Sequence, residues 1–207
     1  EPTLANVAIS LLQMLDAADI AQIDILATGL TAPLAALLTQ LAPDRIRGVV
    51  IDGCVQIAAE VRDSMVEQFA PSFAFDGLGG SHNHRYWHML RDSEANFPWY
   101  APDAASQRST SPMLSADSLH MALVGILKQP GRYGDVVRAA IYEGADTALE
   151  NTLARGLIFN RPNDAAYSAA SAWAARWPNA HLVERETSTS GAADQLRAFL
   201  SQIAAEQ

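Results

Sequence analysis

Three clustered histidines are the residues whose types and spacing most directly suggest chemistry. His82, His84 and His88 form an H-x-H-x-x-x-H pattern beside Trp87. Imidazole nitrogens are common ligands of divalent metals, but Asp92 is the one nearby carboxylate that could complete a coordination sphere, and no cysteine is close. The pattern therefore favours surface or pocket-lining histidines over a metal site, and we expect no metal.

The other candidate nucleophiles and bases are scattered along the chain. Cys54 is the single cysteine, so it cannot form an internal disulfide or complete a cysteine-rich zinc site. No base neighbours it in sequence, and we expect a buried small residue there. His120 falls in a predicted helix and His181 at the start of a predicted strand, where each is expected to be a partly exposed polar residue. None of these residues indicates a cofactor.

Aromatic residues are concentrated in one stretch of 15 residues. Tyr86, Trp87, Phe97, Trp99 and Tyr100 lie there, although aromatics make up only 7% of the chain. The stretch predicts a local hydrophobic body, either the core of a small helical subdomain or the roof of a pocket. An apolar pocket with few polar groups would suit a lipophilic acyl or aromatic ligand.

Composition excludes several classes of partner. The 207 residues carry 14 Lys+Arg against 23 Asp+Glu, a net charge of −9, which repels phosphate backbones and anionic lipid surfaces. No run approaches the roughly 18 apolar residues of a membrane helix. We therefore expect no nucleic-acid or membrane partner and, because the single cysteine does not indicate an oxidising compartment, a cytoplasmic location.

Four short apolar runs are predicted to be strands and must position any site. They are Ile23–Thr28, Val49–Asp52, Leu157–Asn160 and Leu182–Glu184. Because helical stretches alternate with them, we expect an α/β fold with a mostly parallel sheet covered by helices, in which spatial order follows chain order.

The helices fall into two groups. Apolar residues at spacings of three and four predict a helix early in the chain, and further helices over Ala32–Leu41, Ala165–Trp177 and Ala192–Ile203. The block Phe75–Leu153 has no strand pattern and predicts several short helices, among them Arg85–Arg91 and Ser115–Leu127, the latter with Ser115 as its cap. We expect a single domain over residues 1–207, with residues 75–153 as a helical cap insertion.

The turn after the first predicted strand carries a resemblance to a known family. Ala27-Thr28-Gly29-Leu30-Thr31 resembles the nucleophile elbow, G-x-S-x-G, of the α/β-hydrolase fold superfamily, and residues 42–53 (APDRIRGVVIDG) resemble a stretch that follows that elbow. The resemblance covers the chain from the helix before the elbow onward. The first four strands of that fold, and the loop that donates an oxyanion-hole N–H, have no counterpart.

The resemblance implies that two of the three catalytic positions have lost their chemistry. Gly29 stands at the nucleophile position, Asp164 at the acid position, and Ser190 where the histidine belongs. Glycine offers no attacking atom, and Thr28 and Thr31 flank the tip with hydroxyls expected to point away. Asp164 is interpreted first as the cap of the helix that follows it.

The expected function follows from these departures. We expect a protein of this fold that binds a small apolar or acyl ligand, or a partner, without catalysing hydrolysis, using Thr28, Leu30, His84, Trp87, His88 and Trp99. One alternative is an active hydrolase of a small ester or acyl substrate, with an unrecognised nucleophile, a water positioned by Asp164 and a cap histidine, or missing parts supplied by another chain. Another is an interaction module whose half-sheet a second chain completes.

The strand Ile23–Thr28 raises a question of assembly. It is an interior strand in the resembled fold, but here it would lie at an edge, with unpaired backbone groups and the side chains of Ile23, Ile25 and Leu26. Three segments could cover this edge: residues 1–19, a preceding region of a longer chain, or the same strand of a second copy. We expect a homodimer through this edge.

Overall fold

The computed structural model describes residues 3–70, 76–108, 115–144 and 149–205, and its centre is a four-stranded sheet. The strands are β1 (Ile23–Thr28), β2 (Ile46–Asp52), β3 (Arg155–Asn160) and β4 (Ala180–Glu184). All neighbours pair in parallel, in the order β1-β2-β3-β4. The predicted α/β class, the parallel pairing and the order along the chain are confirmed.

The two central strands hold the core because they are covered on both faces. Val49, Val50 and Ile51 of β2 and Ile158 and Phe159 of β3 are at most 2% exposed. Continuous apolar runs of this kind are typical of buried parallel strands. The strands β2, β3 and β4 begin earlier than predicted; β2, for example, begins at Ile46, which pairs with Ile23. Pairing with a neighbouring strand extends a strand into residues that lack strand propensity.

Eight α-helices surround the sheet in the described residues. They are α1 (Leu4–Ala17), α2 (Ala32–Leu41), α3 (Arg62–Phe69), α4 (Ser81–Ser93), α5 (Ala116–Leu127), α6 (Pro130–Glu143), α7 (Ala170–Arg176) and α8 (Thr189–Ala205). Ser115 caps α5, as predicted, by accepting from the Ser118 amide at 3.2 Å. Within those described ranges, no helix combines the length and apolar character that crossing a bilayer requires.

The predicted helix Ala165–Trp177 is interrupted. Ala165–Tyr167 forms a 3-10 turn, and α7 begins only at Ala170. The Asp164 side chain caps the turn by accepting from the Ala166 amide at 3.0 Å. The Ala169 amide then donates to the Cys54 carbonyl at 3.0 Å, which draws the chain towards the loop after β2. The cap that was predicted for Asp164 is present, on a shorter element.

The described chain between β2 and β3 contains helices and irregular loops but no strand, although Asn96 and Gln107 form an isolated antiparallel bridge. It contains α3, α4, α5 and α6; α3 precedes the predicted insertion, and Phe75, the first residue of that insertion, lies outside the described residues. Its aromatic residues pack among themselves: Phe69 lies 5.5 Å from Phe97, and Tyr86 lies 5.9 Å from Tyr133, between ring centroids. Of the two predicted roles of the aromatic stretch, a helical core matches these contacts.

The β1 strand forms one edge of the sheet. Within the described ranges β1 pairs with β2 alone, and Leu26 is 57% exposed. Helix α1 packs against α2 and α6. A homodimer through this edge stays a prediction.

The carboxyl ends of the strands are held together by Asp52, the last residue of β2. Its Oδ1 accepts from the Tyr167 hydroxyl at 2.6 Å, and its Oδ2 accepts from Arg185 Nε at 3.0 Å. Tyr167 belongs to the turn after β3, and Arg185 follows β4, where its amide also donates to the Asn160 carbonyl. This Asp52–Tyr167–Arg185 cluster therefore ties three loops together at the edge where parallel sheets bind ligands.

Gly156→Ala is expected to destabilise the fold, because the added Cβ would lie 2.9 Å from the Ala180 Cβ and 3.1 Å from the Trp177 ring. The ring cannot easily yield: Trp177 is 1% exposed, and its Nε1 donates to the Ala154 carbonyl at 3.0 Å. Overpacking of this kind costs about 1–3 kcal/mol. Urea unfolding followed by circular dichroism measures the change.

Gly125→Ala is the matched control. A Cβ at Gly125 meets no atom within 4 Å, and this residue lies inside α5, so the higher helix propensity of alanine should add up to about 1 kcal/mol of stability. Equal free energies of unfolding for the two variants would contradict the packing of Gly156 against α7 and β4.

Tyr167→Phe removes the hydroxyl that donates to Asp52 and is expected to cost about 1.5–3 kcal/mol at pH 7, the usual range for a hydrogen bond to a charged partner. Burial, and then this hydrogen bond, raise the pKa of Tyr167 above its ordinary value of 10.0. The contribution of the Tyr167 hydroxyl to the free energy of unfolding is therefore complete below pH 10. It is lost as pH rises through the folded-state pKa. Urea unfolding from pH 7 to 11 should show the difference from wild type narrowing above pH 10.

Tyr142→Phe serves as the control for that experiment. Its hydroxyl also donates to a carboxylate, Asp63 Oδ1 at 2.6 Å, but Tyr142 is 40% exposed. Water can replace the lost partner there, so we expect a loss below about 1 kcal/mol. A difference for Tyr167→Phe that is constant to pH 11, or no larger than that for Tyr142→Phe, would refute the role given to the Asp52–Tyr167–Arg185 cluster.

Candidate functional site

The turn after β1 is built as a sharp strand-to-helix elbow. Thr28 is extended (φ −127°, ψ 136°), Gly29 is left-handed (φ +52°), and the 3-10 turn Gly29–Thr31 leads directly into α2. Thr31 Oγ1 accepts from the Thr28 amide at 3.0 Å and donates to the Thr28 carbonyl at 2.9 Å. The Thr31 hydroxyl therefore closes the turn, in the structural role expected for it.

The tip of the elbow has room for a side chain. A Cβ built on Gly29 would meet no atom within 4 Å. Below the tip the backbones are close: a Cβ on Gly53 (φ +93°) would lie 3.6 Å from the Gly29 amide nitrogen and 3.2 Å from the Ala166 carbonyl oxygen. Glycine at position 53 thus lets β2, the elbow and the turn after β3 pack together, whereas the space above Gly29 is open.

A cavity of about 330 Å³ lies beside this tip. Its lining comes from the elbow, the first residues of α2, the loop of residues 54–59 after β2, Arg62 at the start of α3, the end of α6, and one side of α7. Cys54, Ile141 and Trp173 are buried in its wall, whereas Ala172 and Arg176 are exposed at its mouth. Helices inserted between β2 and β3 therefore form part of the wall.

Apolar residues form most of the cavity wall, and its described lining residues include no general base. Among the described residues that line it there is no Ser, Thr, Tyr, His, Lys, Asp or Glu. Burial raises the pKa of the Cys54 thiol to about 12, so this group is protonated at neutral pH and is a weak nucleophile. The arrangement can enclose an apolar group but supplies no acid–base pair.

Among the described lining residues, the charged groups are two arginines with different surroundings. Arg176 Nε lies 2.8 Å from Glu150 Oε1, so its charge is compensated. Arg62 Nη1 lies 3.5 Å from the Tyr142 carbonyl oxygen, and Arg62 Nε is buried with no hydrogen-bond partner in the described part of the chain. Arg62 is therefore the less satisfied of the two cations.

The structure brings together only part of the predicted binding set. Leu30 lines the cavity, whereas Thr28, Trp87 and Trp99 do not. His84 and His88 are exposed on α4, outside this cavity, with ring centroids 6.5 Å apart.

The third histidine of the predicted cluster is used locally. His82 is buried, and its Nδ1 accepts from the Asp76 amide at 3.3 Å. In residues 3–70, 76–108, 115–144 and 149–205, no group of three His, Cys, Asp or Glu side chains could hold a metal ion.

The acid and histidine positions implied by the resemblance are not arranged as a catalytic pair. The Asp164 carboxylate is fully buried, caps the turn after β3, and lies 3.8 Å from Arg108 Nε. Ser190 is exposed in the first turn of α8, and its Oγ lies 3.4 Å from Ser188 Oγ. Asp164 thus stabilises the loop that contains Arg108, and Ser190 contacts its own loop.

Sequence reasoning missed Arg62, Trp173 and Arg176 as lining residues. They come from two segments far apart in the chain, α3 and α7, and none has a spacing that sets it apart in the sequence. One rule could have located the region: in parallel sheets, ligands bind beyond the carboxyl ends of the strands. The loop after β2 leads from that edge to Arg62.

Comparison with known proteins gives matches at the level of structure alone. No family model matches the sequence, and no curated protein matches it significantly. A hydrolase from Oleispira antarctica matches with 17% identity over 96% of this chain and 72% of that chain, with a TM-score of 0.55. A candidate lipase from Acinetobacter baumannii AYE matches with 16% identity, 99% and 69% coverage, and a TM-score of 0.66.

A third structure extends the same likeness. It is 2-hydroxy-6-oxo-6-phenylhexa-2,4-dienoate hydrolase from Rhodococcus sp. strain RHA1, with 13% identity over 97% of this chain and 70% of that chain, and a TM-score of 0.60. Matches at identities this low support a shared backbone fold and say nothing about the chemistry of the site. Together with the parallel sheet and the left-handed elbow, these matches show that the chain has the α/β-hydrolase fold.

Proposed function

We propose that this protein binds a small apolar or acyl ligand non-covalently in the cavity beside the elbow and does not hydrolyse it. One observation carries the proposal: the elbow tip is Gly29, and the described residues that line the cavity include no general base. A site with these contents can hold a ligand by burial and shape, but it has no means of forming an acyl intermediate.

Covalent catalysis on this scaffold requires an activated oxygen or sulfur at the top of the turn. Thr31 uses its hydroxyl within the turn, and Cys54 is a protonated thiol. Asp164, at the acid position, is engaged by Ala166 and Arg108. None of these groups forms a nucleophile–base pair.

The cavity itself supports ligand binding. Its volume is near the lower end of the roughly 300–1,000 Å³ typical of small-molecule pockets, and apolar side chains form most of its wall. Ala172, a small exposed residue, lies at the mouth beside Arg176, so part of the rim is free of bulky side chains.

An active hydrolase is the second candidate, because two of the three matched structures reported above are hydrolases and the third is a candidate lipase. It would need a nucleophile outside the elbow tip, or parts supplied by another chain. The two functions predict opposite results in an ester assay.

Wild type and Gly29→Ser are both expected to leave 4-nitrophenyl acetate, butyrate and octanoate unhydrolysed above background, because the described residues that line the cavity include no base to activate a hydroxyl. Release of 4-nitrophenolate at 405 nm and labelling by a fluorophosphonate probe measure this. Covalent labelling of any serine in wild type, with ester turnover, would support the hydrolase and refute the proposal.

Octan-1-ol is expected to bind in the cavity and slow alkylation of Cys54 by N-ethylmaleimide, because this single cysteine lies in the cavity wall. Ala172→Trp should reduce octan-1-ol affinity at least tenfold by filling the mouth. Ala175→Trp is the control: Ala175 is equally exposed on α7 but does not line the cavity. Calorimetry gives the affinities, and mass spectrometry gives the alkylation rate. Equal affinities for the two variants, or no binding by wild type, would refute the proposal.

A further inference from the structure

We propose that the ligand of the cavity is an amphipathic monocarboxylic acid and that Arg62 binds its carboxylate. The inference rests on the proposed function and adds the chemical class of the ligand. It follows from an arginine placed at a largely apolar cavity with no compensating anion among the described residues.

Arg62 is poorly satisfied by the protein. Its one hydrogen bond in the described part of the chain joins Nη1 to the Tyr142 carbonyl oxygen at 3.5 Å, the long limit of such a bond. Arg62 Nε is buried without a partner. A half-buried guanidinium normally has several partners, because burying unpaired N–H groups is costly.

No carboxylate of the described chain neutralises this charge. Neither Asp nor Glu is among the described residues that line the cavity. The adjacent Asp63 is exposed and accepts from the Tyr142 hydroxyl at 2.6 Å. The second arginine of the cavity, Arg176, already pairs with Glu150. The positive charge at the cavity wall is therefore concentrated on Arg62.

The remaining wall defines the rest of the ligand. Ile57, Ile141 and Trp173 offer apolar surface, and the volume of about 330 Å³ limits the ligand to a short chain or a single ring. A guanidinium matches a carboxylate in a planar, two-bond geometry. A carboxylate at one end of a short apolar body is thus the chemistry that these groups recognise together.

The test compares octanoate with octan-1-ol, which lacks the carboxylate, and with acetate, which lacks the long alkyl chain. Calorimetry at pH 7 should show octanoate binding at least tenfold more tightly than octan-1-ol to wild type, with acetate at least a hundredfold weaker than octanoate. Arg62→Met should weaken octanoate at least tenfold and change octan-1-ol less than twofold. Arg62→Lys keeps the charge but not the planar geometry, so its octanoate affinity should lie between those of wild type and Arg62→Met.

Arg197→Met is the control, since it removes an exposed arginine on α8 that pairs with Asp194 and does not line the cavity. It should keep the tenfold preference for octanoate. Equal binding of octanoate and octan-1-ol to wild type would overturn the inference, and so would an octanoate affinity unchanged in Arg62→Met. Octan-1-ol binding in those cases leaves the proposed function standing, whereas failure of both ligands to bind wild type refutes the proposed function itself.

Discussion

The carboxylate of Asp52 is the point on which the arrangement of the loops depends. Tyr167 and Arg185 both donate to it, so the end of β2 is fastened to the turn after β3 and to the loop after β4. Cys54 follows two residues later, and its carbonyl accepts from the Ala169 amide. The wall of the cavity is therefore placed by interactions that engage both oxygens of Asp52.

The described polar groups Asp52, Tyr167, Asp164 and Arg185 make structural contacts at the carboxyl edge of the sheet. In the fold that this chain has, the same edge can support acyl transfer, which needs a nucleophile, a histidine and an acid in register. Here the tip is Gly29, Asp164 caps a turn beside Arg108, and Ser190 is exposed in the first turn of α8. The hydrogen bonds at this edge hold the loops in place.

Periodicity and composition predicted the strands and most helices because those elements are determined by local residue patterns. The bounds of β1 were predicted correctly, and the late start assigned to β2 reflects pairing that propensity does not encode. The break before α7 arises from the Ala169–Cys54 hydrogen bond, between residues far apart in the chain. The cavity was harder still to predict, because Arg62 and Trp173 meet only after the insertion has folded.

Gly29 has a consequence that goes beyond lost chemistry. A residue with a side chain at this left-handed tip would carry backbone strain of roughly 1–3 kcal/mol, and glycine relieves it. Active elbows accept that strain because it presents the nucleophile. The proposed binding role does not require this strain, which places a glycine tip on the stable side of the trade-off between stability and activity.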